Sequence, residues 1–338
     1  MLGSCRYYWC VLRIARTALL SFAVALVVAG AAVGRAQTAT TLPTRGVVLI
    51  NTNLALENSS AAGTGIVLTK AGEVITNNHV IRGATTISVV VPATKRTYAA
   101  NVLGYDITDD VALLQLQGAT NLATATRGDS ATLKVGQTTR AVGNANGGGK
   151  LVTTSGRLIG RNRTISVQDD SGDVAQLKGL IETSARLVPG DSGGPLLDAA
   201  GRVIGIDAAG SPTFAFESSA PGFAIPINRA LAIAKQVDAQ RSSVAVHIGA
   251  TAFIGLSVAA DPQGVAVGSV FPNSPAANAG LEQGDLITSL DGTPVTSFGD
   301  LRTFLFTKHP GDTVTLAYTD TTGAQTSATI VLATGPPQ

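Results

Sequence analysis

Between Gly46 and Ile206 the chain is a succession of short apolar runs, each too short for a helix with a buried face. Gly46-Val-Val-Leu-Ile50, Gly65-Ile-Val-Leu68, Thr86-Ile-Ser-Val-Val-Val91, Val111-Ala-Leu-Leu-Gln-Leu116 and Val203-Ile-Gly-Ile206 are broken by Gly, Asn and Asp. Frequent short strands separated by turn residues predict an all-β sandwich or barrel. Asn228 to Gln240 breaks the pattern. There Leu231, Ile233, Ala234 and Val237 recur at helical spacing, and Ile227 precedes them as a staple-like residue. A second β-rich unit follows over residues 249–334. It holds one helix near Phe298–Thr307, with Asp300 in its first turn and a stop at Pro310-Gly311.

A length of 338 residues agrees with two domains. The reading is a leader over 1–36, a linker over 37–44, a first domain over 45–240, a linker over 241–248 and a second domain over 249–334. Hydrophobic residues make up 45 % of the chain, which excludes wholesale disorder. A net charge of +2 is no basic footprint, so nucleic acid is not an expected partner. The leader carries Arg6, Arg13, Arg16 and Arg35 without an acid, and Thr17 to Gly34 is an uncharged run of 18 residues. Positive charge before an apolar run keeps the N-terminus cytoplasmic. Gly34-Arg35-Ala36 offers a small-x-small cleavage signal. A cleaved signal peptide and a retained membrane anchor both place the body outside the cytoplasm. Cys5 and Cys10 lie in the leader, so the rest of the chain contains no disulfide, thiolate metal site or cysteine nucleophile. Gly147-Gly-Gly149-Lys150 is not a phosphate loop, because Leu151 stands where a metal-coordinating Ser or Thr is required.

The chemistry concentrates in Gly190-Asp-Ser-Gly-Gly-Pro195. Glycines permit the tight turn that presents a serine hydroxyl. The N–H groups of Gly190 and Ser192, with Asp191 between them, then make a candidate oxyanion hole. A serine needs a base. Of the three histidines, His247 and His309 sit near the second linker and beside Pro310. His79 ends the apolar run in Val74-Ile-Thr-Asn-Asn-His-Val-Ile81 and is the candidate. The base in turn needs an orienting carboxylate. Asp106, Asp109 and Asp110 compete for that role, and Asp110 is favoured because it enters the apolar run Val111–Leu116 directly.

In the order His79, Asp110, Ser192, these residues resemble the trypsin-like serine proteases, and more closely the HtrA (Deg) proteases that carry a PDZ domain. The matching strings are Gly63-Thr-Gly65, Thr76-Asn-Asn-His-Val80, Asp110-Val-Ala112, Gly128-Asp-Ser130, Val135-Gly136, Ala141-Val-Gly-Asn144, Pro189–Pro195 and Gly222-Phe-Ala-Ile-Pro-Ile227. In the second unit, Phe253-Ile-Gly-Leu256 is similar to the carboxylate-binding loop of PDZ domains. Ser274-Pro-Ala-Ala-Asn-Ala-Gly-Leu281, Gln283-Gly-Asp-Leu-Ile287 and Asp291-Gly292 are similar to their middle segment. The resemblance implies a chymotrypsin-like double β-barrel followed by a β-rich PDZ domain with short helices. It implies an extracytoplasmic endopeptidase for unfolded or mislocalised proteins, with no cofactor or metal. Arg186, Asp207, Ala208, Ala209 and Phe223 are implied as substrate-pocket residues. Phe253, Ile254, Gly255 and Leu256 would bind peptide C-termini, with Leu301, Phe304 and Leu305 on the groove helix. A homotrimer is also implied, while the short Asn51–Ala62 segment weighs against larger cages. The alternative from another class is a catalytically silent peptide-binding or chaperone protein on the same framework. A zinc hydrolase is excluded by the lack of a His/Cys cluster.

Two positions depart from the family pattern. Family members often have Asn before the serine, and this chain has Asp191. A buried lone carboxylate is costly, so Asp191 is expected to meet Arg161, Arg163 or Arg186, or else to lie exposed. Arg186 at a pocket floor would select an acidic side chain. Turned outward or paired with Asp191, it would leave the family's preference for small aliphatic side chains.

Overall fold

The computed structural model describes residues 44–168, 174–208, 221–261 and 264–338. The predicted leader lies outside the described residues. Among these, no helix is long and apolar enough to cross a membrane.

The first barrel is built from β1 (Val47–Leu54), β2 (Ser59–Val67), β3 (Glu73–Thr76), the one-turn helix α1 (Asn78–Ile81), β4 (Thr86–Val91), β5 (Arg96–Asp106) and β6 (Val111–Leu116). The strands run β5-β4-β1-β2-β3-β6, and a β5–β6 pairing closes the ring. Strands alternate their side chains between two faces. In β1, Val48 and Ile50 fill the barrel while Val47 faces a second core. In β6, Ala112, Leu114 and Leu116 point to the first core, and Val111 and Leu113 to the second. Burial on both faces is why this run reads as continuously apolar.

The second barrel contains β7 (Thr138–Gly143), β8 (Val152–Gln168), β9 (Val174–Thr183), β10 (Pro195–Leu197), β11 (Val203–Asp207) and β12 (Gly222–Pro226), closed in the order β10-β11-β12-β9-β8-β7. Helix α2 (Ile227–Asp238) follows. It buries Ile227, Ala230, Ile233, Ala234 and Val237 along one stripe, so Ile227 is the first helical residue rather than a staple outside it. The expected linker over 241–248 is corrected at its end. Val246–Ile248 forms β13, which pairs antiparallel with Asp106–Gly104 of β5. Val246 and Ile248 are buried in the core between the barrels, which explains the pairing of so short a strand.

The remaining elements are β14 (Thr251–Phe253), β15 (Leu256–Asp261), β16 (Gly264–Val270), α3 (Pro275–Asn278), β17 (Leu286–Leu290), β18 (Thr293–Pro294), α4 (Phe298–Phe306), β19 (Thr313–Thr319), β20 (Gln325–Val331) and β21 (Ala333–Gly335). The main sheet runs β15-β16-β17-β19-β20, so β15 is an edge among the described strands. Helix α4 starts with a capping box. The Ser297 hydroxyl accepts the Asp300 N–H, and the Asp300 carboxylate accepts the Ser297 N–H.

Leu42–Gln338 pack as one unit. Phe306, at the end of α4, sits in the first-barrel core and lies edge-on to Tyr105 at 5.9 Å. The His247 Nδ1 is 2.9 Å from the Phe306 carbonyl, and its Nε2 is 3.0 Å from that of Ala250. The second domain, expected to end at 334, continues through β21 and residues 336–338 back to the barrel. The Gly83 N–H donates to the Pro337 carbonyl, and the Asn78 side chain donates to that of Gln338.

Candidate active site

His79 lies on α1, directly after β3, and Asp110 closes the turn between β5 and β6. Asp110 holds a left-handed backbone (φ 53°), a conformation that Asp tolerates better than most residues. One Asp110 oxygen is 2.7 Å from the His79 Nδ1, and the other accepts the His79 backbone N–H at 2.9 Å. The Asn77 side chain donates to the Asp110 carbonyl, fixing the backbone as well. The carboxylate thus sets the imidazole's orientation and places the proton on Nδ1, leaving Nε2 as the basic nitrogen. The neighbouring acids do other work. Asp106 accepts the Thr108 and Asp109 N–H groups, and Asp109 pairs with Arg229 at 3.2 Å.

The Ser192 segment meets the first barrel through Thr64. The Thr64 N–H donates to the Ser192 carbonyl at 2.8 Å, and its hydroxyl donates to the Gly190 carbonyl at 2.7 Å. That hydroxyl accepts the Asn144 N–H, and the Thr64 carbonyl accepts the Thr76 hydroxyl. A side chain on Gly63 would strike Val80, beside His79, and approach the Ser192 carbonyl. The fold therefore brings the His79 and Ser192 segments to one place. Thr64 and Thr76 are fully buried. Neither was singled out in the sequence, although each lies in a family-matching string.

Val188 to Asp191 form a turn closed by a hydrogen bond from the Asp191 N–H to the Val188 carbonyl at 3.0 Å. Pro189 occupies the second position and Gly190 the third, at φ 92°, which is type II geometry and requires glycine. A Cβ there would also collide with the Asn144 carbonyl. The Asn146 N–H pins the Pro189 carbonyl at 2.6 Å. The peptide is planar and trans, so the Gly190 N–H points the opposite way. That N–H has no hydrogen-bond partner among the described residues.

Among the described residues no cation is ion-paired with Asp191, contrary to expectation. Arg161 donates to the Leu133 and Ala131 carbonyls, Arg163 pairs with Glu182 at 2.6 Å, and Arg186 is exposed. The other expected outcome, an exposed Asp191, fails too, because it is only 4 % exposed. Burial pushes its carboxyl up to about 6, against the opposing hydrogen bond from the Val188 N–H. The cost of burying Asp191 thus shows as a raised pKa rather than an ion pair, and the group is protonated only below about pH 6.

The segment before the turn alternates. Ala185 and Leu187 are buried, and Arg186 points out between them. Leu187, rather than Arg186, lies against Gly222 at the start of β12, and Arg186 is exposed. Asp207, Ala208 and Phe223 come together, with the Ala208 N–H donating to the Phe223 carbonyl at 2.9 Å. Ala209 lies outside the described residues.

In the second domain, Gly255 adopts φ 90°, and its carbonyl accepts the Phe271 N–H and the Ser274 hydroxyl. The Ile254 carbonyl accepts the Ala276 N–H. The N–H groups of Ile254 and Gly255 have no partner among the described residues. Phe253 and Leu256 are half-buried. Leu301 and Leu305 lie in the domain core, with Phe304 packed partly against it.

Residues 63–206 match the trypsin-like peptidase domain family, and residues 252–329 match the PDZ domain family. Protease Do-like 1, chloroplastic, of Arabidopsis thaliana is 36 % identical over 283 residues, covering 77 % of this chain and 61 % of the relative. Serine protease PepD of Mycobacterium tuberculosis (strain ATCC 25618 / H37Rv) is 30 % identical over 302 residues, covering 85 % and 63 %. Periplasmic serine endoprotease DegP of Escherichia coli (strain K12) is 34 % identical over 271 residues, covering 76 % and 54 %. The chain thus spans 54–63 % of the length of these curated relatives. A solved structure of the HtrA-type protease AlgW with tripeptide superposes with a TM-score of 0.51 at 26 % identity, covering 87 % of this chain and 95 % of that one. Fold and comparisons together define a trypsin-like peptidase domain joined to one PDZ domain. Within that class, the chain is similar to proteins named as HtrA-type and Do-like serine proteases.

Proposed function

We propose that this protein is an extracytoplasmic serine endopeptidase acting on unfolded or mislocalised proteins. The carrying observation is the two-point grip of Asp110 on His79, through Nδ1 at 2.7 Å and the backbone N–H at 2.9 Å. In this reading Ser192 attacks the substrate carbonyl, and His79 takes the proton at Nε2 and returns it to the leaving amine. Asp110 holds the tautomer and stabilises the imidazolium. The N–H groups of Gly190 and Ser192 bind the oxyanion. The apolar Leu187 and the Ala208–Phe223 contact favour a small aliphatic side chain at the cleavage site. The PDZ domain takes peptide C-termini as an added strand beside β15. The free N–H groups of Ile254 and Gly255 meet the carboxylate, with α4 as the opposite wall. An extracytoplasmic location is supported by the Arg-flanked apolar leader and by the periplasmic relatives.

Casein digestion by the purified protein tests the reading. Turnover that falls on the order of 10⁶-fold in Ser192→Ala supports it, since removal of a nucleophile typically costs that much. An inert wild type, with and without C-terminal peptides, would transfer support to the silent peptide-binding alternative.

A further inference from the structure

We propose that residues 336–338 form a strap that clamps both ends of α1, with Asn78 and Tyr105 as positioning residues that hold the base His79 in place. The inference rests on the endopeptidase reading above and adds to the active site a segment that leaves the second domain.

Helix α1 has little strength of its own. It is four residues long, and a single turn fixes more backbone than its hydrogen bonds repay. Asn77 stands at its N-cap without a side-chain cap bond, because its amide is given to the Asp110 carbonyl. Val80 and Ile81 anchor one face in the first-barrel core. His79 is gripped by Asp110. None of these contacts ties down both ends of the turn.

Residues 336–338 do so. The Asn78 amide, at the first position of α1, donates to the Gln338 carbonyl at 2.9 Å. The Gly83 N–H, two residues past the end of α1, donates to the Pro337 carbonyl at 2.9 Å. Two consecutive carbonyls thus straddle His79. The strap is held in turn by the Tyr105 hydroxyl, which accepts the Gln338 N–H at 3.3 Å and lies 3.0 Å from the Thr251 Oγ1 at the start of β14. Asn78, Tyr105 and Pro337 are buried, so water competes little for these bonds. At its root the strap continues β21, which pairs antiparallel with Thr251–Phe253 of β14. A side chain on Gly335 would strike Phe253, so this root is closely packed. Pro336-Pro337 stiffens the span between, because each ring locks φ.

A stiff strap with a fixed root sets the position of α1 from outside the barrel. Without the bond from Asn78, the first residue of the turn is free to move, and His79 moves with it. Asp110 stays with the turn between β5 and β6, so the 2.7 Å contact at Nδ1 loosens and Nε2 is misdirected. Misplacement by about 1 Å can cost on the order of 10²-fold in rate. Substrate contacts are made elsewhere, so the loss falls on kcat and not on KM.

The test is kcat and KM on a fluorogenic peptide for the full chain and for Asn78→Ala, Tyr105→Phe and Asp320→Ala. Asn78→Ala leaves the Gln338 carbonyl without its donor and should lower kcat about tenfold or more, with KM within about twofold. Tyr105→Phe keeps the buried ring and removes only the hydroxyl that holds Gln338, and kcat should fall about threefold or more. Asp320→Ala loosens the turn between β19 and β20, where the carboxylate accepts the Thr322 and Ala324 N–H groups, and should leave kcat unchanged. Full kcat in a folded Asn78→Ala or in Tyr105→Phe, or an equal loss in Asp320→Ala, would overturn the strap. A second readout needs no turnover. In Ser192→Ala protein, proton NMR follows the downfield resonance of the His79 Nδ1–H in its bond to Asp110. Adding Asn78→Ala or Tyr105→Phe should shift or broaden that resonance while circular dichroism shows the fold intact. A resonance unchanged in Tyr105→Phe overturns the proposal whether or not Asn78→Ala folds. A shifted resonance in a protein whose wild type digests nothing would instead refute the endopeptidase reading and leave the strap standing.

Discussion

Asp191 makes stability depend on pH in a direction opposite to that of an ion-paired carboxylate. Its carboxyl titrates at about 6 in the fold against 3.8 ordinarily, because burial penalises the charge. Between about pH 4 and pH 6 the native state therefore holds a proton that the unfolded chain has released. Stability falls with rising pH wherever the native state binds more protons. The contribution is fully present below about pH 4 and is lost as pH passes about 6. A shift of roughly 2 units at about 1.36 kcal/mol each is about 3 kcal/mol. Asn at 191 has no charge to bury and still offers an oxygen to the Val188 N–H. In a Ser192→Ala background, which prevents self-digestion, Asp191→Asn should match its parent at pH 4 and exceed it by about 3 kcal/mol at pH 8. For a cooperative unit of roughly 200 residues, that is a rise in Tm of about 7 °C. Thermal melts followed by far-UV circular dichroism at half-unit pH steps read the difference directly. A Tm difference that stays flat from pH 4 to pH 8 would refute the buried, cation-free Asp191. A variant that weakens as pH rises would do the same.

Other residues give equally direct outcomes. Asp110→Asn should place an amide N–H against the His79 Nδ1, impose the wrong tautomer and lower kcat on the order of 10⁴-fold, while a melt shows the fold intact. Gly190→Ala forces a Cβ onto the Asn144 carbonyl and disfavours φ 92°. It should cost about 10²–10³-fold in kcat by displacing one oxyanion donor, measured on a peptide substrate at saturation. Gly255→Ala drives a Cβ into Ser274. Calorimetry with a C-terminal peptide should show binding weakened at least tenfold, with casein digestion by the barrels retained. Phe306→Ala removes the ring that α4 lodges in the first-barrel core. Loss of a buried Phe typically costs about 3–5 kcal/mol, so amide exchange should quicken across β13 and α4 and stay slow in β10 to β12.

The candidate site was legible because its residues sit in short strings. The Gly-rich turn around Ser192 and the placement of His79 at a strand end are local features, and Asp110 could be preferred over Asp106 and Asp109 because it abuts the buried run of β6. Strand-rich architecture was legible from run length and punctuation. Closure into two barrels was not, because it depends on pairings such as β5 with β6 and β10 with β7 that periodicity does not encode. Side-chain direction before the Ser192 turn is a one-residue matter that run length does not reveal. Alternation puts Ala185 and Leu187 in and Arg186 out, and a strand's register reverses every side chain if it slips by one. The linker failed for a related reason. Val246–Ile248 is too short to signal a strand by itself, and it becomes one only because β5 offers an edge beside an apolar core.

The least legible feature is the one with most chemical consequence. Asp191 looked from the sequence like an anion in need of a cation, and three arginines stood within reach along the chain. Charge count along a sequence does not establish proximity, and each arginine is engaged or exposed elsewhere. What holds the segment instead is backbone. The end of β11 runs antiparallel to the Ser192 segment, and Asp207 and Gly193–Gly194 exchange two backbone hydrogen bonds. Asp191 accepts the Val188 N–H from within the same turn and is carried into a buried position by it. A carboxylate is thus buried by turn and sheet geometry, which charge counting along the chain does not see, and its raised pKa is the cost of that placement.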